Sequence, residues 1–226
     1  MDKSSIKLIW RYLGRFTEGP LFTRQKWTAF WRYAGSACSL ISEKLMGVDY
    51  SMVYYTKDES IHHSVYTKVP DKVLKRVFSD VEGIGSKRFL DIGCGKGYAV
   101  TKAAQSGFLA AGGLEYSEHL YEICRSNLKK KGVPPEYVFR CDAKDFERYG
   151  DFDVFFMNNP FDETIIEPVA EKIYQTHLGR ECRIYYVNPN PIERARAIER
   201  AGFKLVKQIP DPAEEYFLIC VYSNQS

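Results

Sequence analysis

The chain has 226 residues, 45% hydrophobic and 15% aromatic, with a net charge of +3; it is long enough to bury a full core and too apolar for a disordered tail. Its longest apolar run is about the size of YFLICVY, Tyr216 to Tyr222, well short of the roughly 20 residues of a membrane span, so no transmembrane segment is expected. Six cysteines without a C-x-x-C pair, and four histidines that form no cluster beside them, argue against structural zinc and a disulfide framework and for reduced thiols in a cytoplasmic protein.

The first stretch, MDKSSIKLIWRYLGRF, mixes charge with apolar residues and lacks a small-residue cleavage site, so it does not read as a secretory signal. Residues 1–50 read as a basic, aromatic-rich helical N-terminal extension, and 51–226 as the main domain. The extension carries eight Lys/Arg against four Asp/Glu, and the rest of the chain 24 against 25. With Trp10, Trp27 and Trp31, that extension suits nucleic acid or an anionic surface as partner. The competing reading packs the aromatics onto the body and leaves the Lys/Arg in water.

After it, VYYTKDESIHHSVYTKVP reads as a connector, followed by a helix opened near Pro70 and Asp71. From Arg88 onward strands and helices alternate: strand 88–92, helix 98–105, strand 109–114, helix 118–131, strand 137–141, a short acidic connector, strand 153–158, helix 164–178, strand 183–187 and helix 191–201. The chain closes with FKLVKQI and YFLICVY, which have no room for a helix between them and should pair as an antiparallel hairpin through the loop PDPAEE. The expected fold class is α/β, a doubly wound Rossmann-like sheet, mostly parallel with an antiparallel C-terminal hairpin. In such sheets ligands bind beyond the carboxyl ends of the strands.

At that edge lies RFLDIGCGKGYAV. Gly93, Gly95 and Gly97 run as G-x-G-x-G, so the position of the third dinucleotide-fingerprint glycine is Tyr98, and no P-loop occurs in the chain. Asp91 inside the strand end, followed by Gly93, Cys94, Gly95, Lys96 and Gly97, suits a ligand with a ribose and a charged amino-acid tail. Glu115 in GLEYS falls at the next strand end, placed to accept both ribose hydroxyls. Asp142 in RCDAKDF ends the third strand, placed to accept from an exocyclic adenine amine. Each piece has a plainer alternative: close helix–strand packing for the glycines, a helix cap for Glu115, a turn for Asp142. Their coincidence at adjacent strand ends favours a bound ligand.

FLDIGCGKG, GLEYS and CDA resemble the successive cofactor motifs of the class I S-adenosylmethionine-dependent methyltransferases, over about residues 62–208. The resemblance implies S-adenosyl-L-methionine as cofactor. Asp91 and the turn Gly93, Cys94, Gly95 and Gly97 would hold its methionine part, Glu115 the ribose and Asp142 the adenine. MNNPFDET, at the end of the fourth strand, resembles the [DN]-P-P-[YFW] motif of enzymes that methylate planar nitrogen, with Asn158, Pro160 and Phe161 in register and Asn159 in place of the first proline. The NNPF form is similar to that of bacterial single-domain members with an N-P-F signature. HHSVYTKVP resembles their cofactor-covering loop, with Tyr66 at its aromatic position.

These likenesses predict an S-adenosylmethionine-dependent methyltransferase acting on nitrogen of an unidentified acceptor, whether protein, nucleic acid or small molecule. Asn158, next to the cofactor, and the backbone carbonyl of Asn159 would accept the acceptor's N–H bonds, Pro160 would fix the turn, and Phe161 would cover the acceptor. The reaction needs no metal. The alternative function is a catalytically inactive module of the same fold that uses its basic extension to bind RNA, membrane or protein.

Overall fold

The computed structural model describes residues 38–51, 66–189, 193–211 and 214–225. Most of the N-terminal extension, His62 and His63 of the connector, and the start of the helix expected at 191 lie outside them. The chain divides into two compact units, Met1–Met46 and Gly47–Ser226. In the first, residues 38–45 are helical. The second unit includes residues 47–51, among them the buried Val48 and Tyr50.

The second unit is built on helix α1 (Asp71–Asp80), β1 (Arg88–Ile92), α2 (Tyr98–Gln105), β2 (Ala110–Glu115), α3 (Glu118–Lys130), β3 (Val138–Arg140), β4 (Val154–Met157), α4 (Glu163–Thr176), β5 (Arg183–Val187), α5 (Glu193–Arg200), β6 (Lys204–Asp211) and β7 (Glu214–Ser223). The strands form one seven-stranded sheet in the order β3-β2-β1-β4-β5-β7-β6. The first five are parallel, and β7 runs antiparallel between β5 and β6. The expected α/β sheet with an antiparallel terminal hairpin is the one observed.

Strand residues alternate between two apolar clusters, because successive side chains of a strand point to opposite faces. Phe89, Phe156, Tyr185 and Val221 face one cluster, with Val73 and Val77 of α1, Val100 of α2 and Leu128 of α3. Leu90, Phe155, Met157, Ile184, Tyr186 and Tyr222 face the other, with Ile166 and Ile173 of α4 and Ile198 of α5. Both faces are covered, which is why β1, β4 and β5 read as nearly continuous apolar runs. The strand order reverses between β1 and β4, so their carboxyl ends open the crevice.

Several boundaries shift from expectation by a residue or two, and two of the shifts have a local cause. The third strand is shorter than 137–141, because Pro134 and Pro135 set a 3-10 turn over Pro135–Tyr137 and Asp142 starts another over Ala143–Asp145. The hairpin connection falls within PDPAEE as expected, but the strands reach further into it, since Asp211 already pairs with Glu214. Pro210, which lacks an N–H, is tolerated there because β6 is the sheet edge and the ladder shifts register between Pro210 and Asp211.

Candidate active site

The crevice starts at Asp91, paired in register with Gly113 of β2 and Phe156 of β4. Its side chain is buried, and among the described residues no donor reaches its carboxylate. Burial, reinforced by the neighbouring Glu115 carboxylate, pushes the Asp91 carboxyl up to about 8. A buried acid with no protein partner is costly unless a ligand supplies a cation.

Directly above it the chain turns through left-handed conformations at Gly93 (φ 78°), Gly95 (φ 53°) and Gly97 (φ 77°), which L side chains rarely adopt. The N–H groups of Gly93 and Cys94 both donate to the Leu114 carbonyl, at 2.8 and 2.9 Å. Close approach adds a second requirement: a Cβ at Gly93 would lie 2.6 Å from Pro160 Cβ, and one at Gly95 would lie 2.2 Å from the Tyr66 ring. The glycine turn thus joins two of the predicted site residues, Pro160 and Tyr66, that are distant in sequence. The Cys94 thiol is buried beneath the turn, 3.9 Å from that of Cys124, so any part Cys94 plays toward a ligand is through its backbone.

Lys96, in the middle of the turn, does not offer its charge to a phosphate. Its side chain is 1% exposed and its Nζ lies 2.8 Å from both carboxylate oxygens of Asp49. Asn127, on the buried side of α3, accepts from the Asp49 N–H at 2.9 Å and donates to the carbonyls of Asp49 and Lys96 at 2.8 and 3.0 Å. Tyr66 donates its hydroxyl to the Tyr50 carbonyl at 2.7 Å, and Lys96 Nζ lies 5.5 Å from the Tyr66 ring centroid. This network was missed by motif reading. Its one sequence signal is the lysine inside a glycine turn, which needs either a ligand anion or an acidic side chain as partner.

Glu115 ends β2 with a buried carboxylate whose Oε2 accepts from the Gly95 N–H and whose Oε1 accepts from the Ser117 N–H, both at 2.8 Å. Burial pushes its carboxyl above the usual range, while these backbone donors pull it back. A carboxylate offers about four acceptor sites, so the Ser117, Gly95 and Tyr116 N–H groups still leave capacity over. Glu115 therefore ties the glycine turn to β2 and still has acceptor capacity for a ribose. Asp142 lies two residues beyond β3, half-buried, and caps the following turn by accepting from the Lys144 N–H at 2.9 Å. Capping engages Oδ1, while Oδ2 lies 3.9 Å from Lys144 Nζ.

The NNPF segment leaves β4 immediately beyond Met157. Asn158 is half-buried, and its amide has no hydrogen-bond partner among the described residues. Asn159 is left-handed (φ 49°). Its Oδ1 accepts from the Tyr186 hydroxyl at 3.0 Å and from Arg194 at 2.9 Å. A proline there would need φ near −65°, which is the physical reason this chain departs from the doubled-proline pattern. Pro160 rests on the Gly93 turn, and Phe161 is buried behind it. Asp162 caps α4 by accepting from the Thr164 N–H at 3.0 Å. The described residues hold no cluster of metal-ligating side chains, no helix long and apolar enough to cross a membrane, and six free cysteines.

Residues 89–178 match the family model described as a methyltransferase domain. A curated protein of Geobacillus sp. (strain WCH70), provisionally named a methyltransferase, is 29% identical over 96 residues, covering 40% of this chain and 38% of that protein. The match thus spans well under half of that relative. An RNA methyltransferase from Salinibacter ruber, solved with S-adenosyl-L-homocysteine, superposes with a TM-score of 0.53 at 16% identity, over 69% of this chain and 90% of that one. The ribosomal protein L11 methylase from Lactobacillus delbrueckii subsp. bulgaricus gives 0.52 at 11%, over 67% and 76%. The chain therefore has the Rossmann-like methyltransferase fold, and its family match lies on the segment that carries β1, the glycine turn, Glu115, Asp142 and NNPF.

Proposed function

We propose that this protein is an S-adenosyl-L-methionine-dependent methyltransferase that acts on nitrogen. The observation that carries this reading is the buried Asp91 carboxylate, which no donor among the described residues reaches, beneath a left-handed glycine turn whose one lysine is already neutralised by Asp49. Such a cradle favours a ligand with an ammonium and no phosphate. In this reading Asp91 and the backbone of the Gly93–Gly97 turn hold the amino-acid end, Glu115 the ribose hydroxyls, Asp142 the adenine, and Tyr66 covers the turn. When bound, the cofactor supplies an electrophilic methyl group on a sulfonium.

The chain's own task is alignment, exclusion of water and orientation of the acceptor's lone pair. Asn158 has an uncommitted amide oxygen to accept an acceptor N–H, and the Asn159 backbone carbonyl can accept a second. With both N–H bonds held, the nitrogen lone pair is turned toward the methyl donor, and no side chain has to remove a proton before transfer. Phe161 and Pro160 shape the acceptor side of the glycine turn. The structural relatives differ in acceptor, one an RNA and one a ribosomal protein by their names, so the fold leaves the acceptor class open. The basic N-terminal segment would serve acceptor recognition, for a nucleic acid or another anionic surface, in a cytoplasmic protein.

The test is methyl-labelled S-adenosylmethionine incubated with the protein and with lysate separated into RNA, protein and small-molecule fractions. Label in one fraction supports the reading and names the acceptor class. Cofactor binding without transfer to any fraction favours an inactive interaction module.

A further inference from the structure

Asn159 is the one strained point of the NNPF turn. A non-glycine residue at φ 49° is held in a sparsely populated region, and such residues persist only where the surroundings over-determine them. Here the surroundings are two donors from outside the motif: the fully buried Tyr186 on β5 and Arg194 on α5, both bonded to Asn159 Oδ1. An arginine has only donors, so the atom facing it must be the amide oxygen, which fixes the orientation of the side chain. The Arg194 charge is balanced by Glu163, 4.0 Å away in the first turn of α4. Its Nε is buried without a hydrogen-bond partner among the described residues. The guanidinium is thus committed to the Asn159 turn at some cost in desolvation.

We infer that Arg194 and Tyr186 are positioning residues for methyl transfer, acting through Asn159 to hold Asn158 and Pro160 against the glycine turn. The inference rests on the methyltransferase reading. The chemical logic is that an in-line displacement tolerates little misplacement of its nucleophile, while the Asn158 amide has no hydrogen bond among the described residues to fix it. Asn159 lies one residue along the chain, so a flip of its backbone turns the Asn158 carbonyl and redirects the Asn158 amide. Neither Arg194 nor Tyr186 is bonded to Asp91, Glu115 or the glycine turn, so cofactor affinity should not follow them.

The test is a cycle of Arg194→Met and Tyr186→Phe, each made in the wild type and in Asn159→Gly. Glycine adopts the left-handed turn without the anchors, so the anchors should matter only where Asn159 is present. In the wild-type background each substitution should lower kcat about tenfold or more, with S-adenosylhomocysteine affinity changed less than twofold by calorimetry. In the Asn159→Gly background each should change kcat less than twofold, and Arg194→Lys should recover part of the wild-type loss. An equal loss in both backgrounds, an unchanged kcat, or a fall in cofactor affinity matching the fall in kcat would each overturn the inference. Urea unfolding of the same set separates positioning from a merely structural role: a midpoint that falls in step with kcat in both backgrounds would overturn the inference. If the wild type methylates no acceptor, the methyltransferase reading fails and the positioning role with it. The urea midpoints then report only whether the anchors stabilise the Asn159 turn.

Discussion

Glu115 offers the sharpest test of how the glycine turn is built, because its carboxylate already serves the protein before any ligand binds. In Glu115→Ala the Gly95 N–H, buried at the turn, and the Ser117 N–H both lose a charged acceptor at 2.8 Å. Hydrogen bonds to a charged group contribute about 1.5–3 kcal/mol each, and a buried donor left unmet costs about 1–3 kcal/mol. The Ser117 N–H lies at a helix start within reach of water, so the Gly95 bond dominates. Relief of the carboxylate's own burial, seen in its raised pKa, opposes part of that loss. The net expectation is about 2 kcal/mol of lost stability, together with a ten- to hundredfold loss of S-adenosylmethionine affinity. Glu115→Gln should do little better, because its amide nitrogen sets a donor against one of the two backbone donors. Urea unfolding of the ligand-free protein reads the first effect and calorimetry the second. If affinity falls while the urea midpoint is unchanged, Glu115 is a ligand contact alone and the proposed tie to Gly95 is wrong; if neither moves, Glu115 is outside the site.

Asp91→Asn should behave oppositely, weakening cofactor affinity at least tenfold while stabilising the ligand-free protein, since no described donor depends on the charge. With the Asp91 carboxyl at about 8 in the fold and near 3.9 when unfolded, the native state holds a proton that the unfolded chain lacks. Its contribution to stability is therefore full at acid pH and is lost as pH rises toward 8. The asparagine variant should remove that slope, and an unaltered pH profile by urea unfolding would refute the shift. Wild-type affinity for the cofactor should rise with pH up to about 8, with proton release visible as buffer-dependent calorimetric heats. Asn159→Pro should lower the urea midpoint and abolish transfer, because φ 49° is closed to proline; a stable, active variant would mean the turn is not left-handed. Asn158→Ala should change stability by no more than about 0.5 kcal/mol and lower kcat about tenfold or more, measured with the labelled cofactor.

Much of the sheet was legible because its signals are local. RFLDI, DVFFMN and RIYYV are apolar runs of strand length between turn residues, and Gly93, Gly95 and Gly97 mark a turn that side chains cannot follow. The two terminal strands were too close together for a crossover, so the hairpin followed from spacing. The insertion of β7 between β5 and β6, by contrast, is a matter of which edge a strand joins, and no local pattern encodes it. The same holds for the site. Asp91, Glu115 and Asp142 could be placed from strand ends, but their hydrogen bonds could not, so the double duty of Glu115 and the capping by Asp142 emerge only in three dimensions. Asp49 and Asn127 meet Lys96 from 47 and 31 residues away, and Arg194 reaches Asn159 from 35. Such pairs leave no periodic trace. At Asn159 a comparison with the doubled-proline motif suggested a missing proline, whereas the backbone shows a left-handed residue that proline could not replace.

The most direct test of cofactor binding at this site is a calorimetric titration of the 226-residue chain with S-adenosylmethionine, set beside the same titration of Asp91→Asn and of the wild type with ATP. One site per chain is expected for S-adenosylmethionine, at least tenfold weaker in the variant, with no comparable binding of the nucleotide triphosphate, because the turn's lysine is bound to Asp49. Equal affinity in wild type and variant, or tighter binding of the triphosphate, would contradict this expectation.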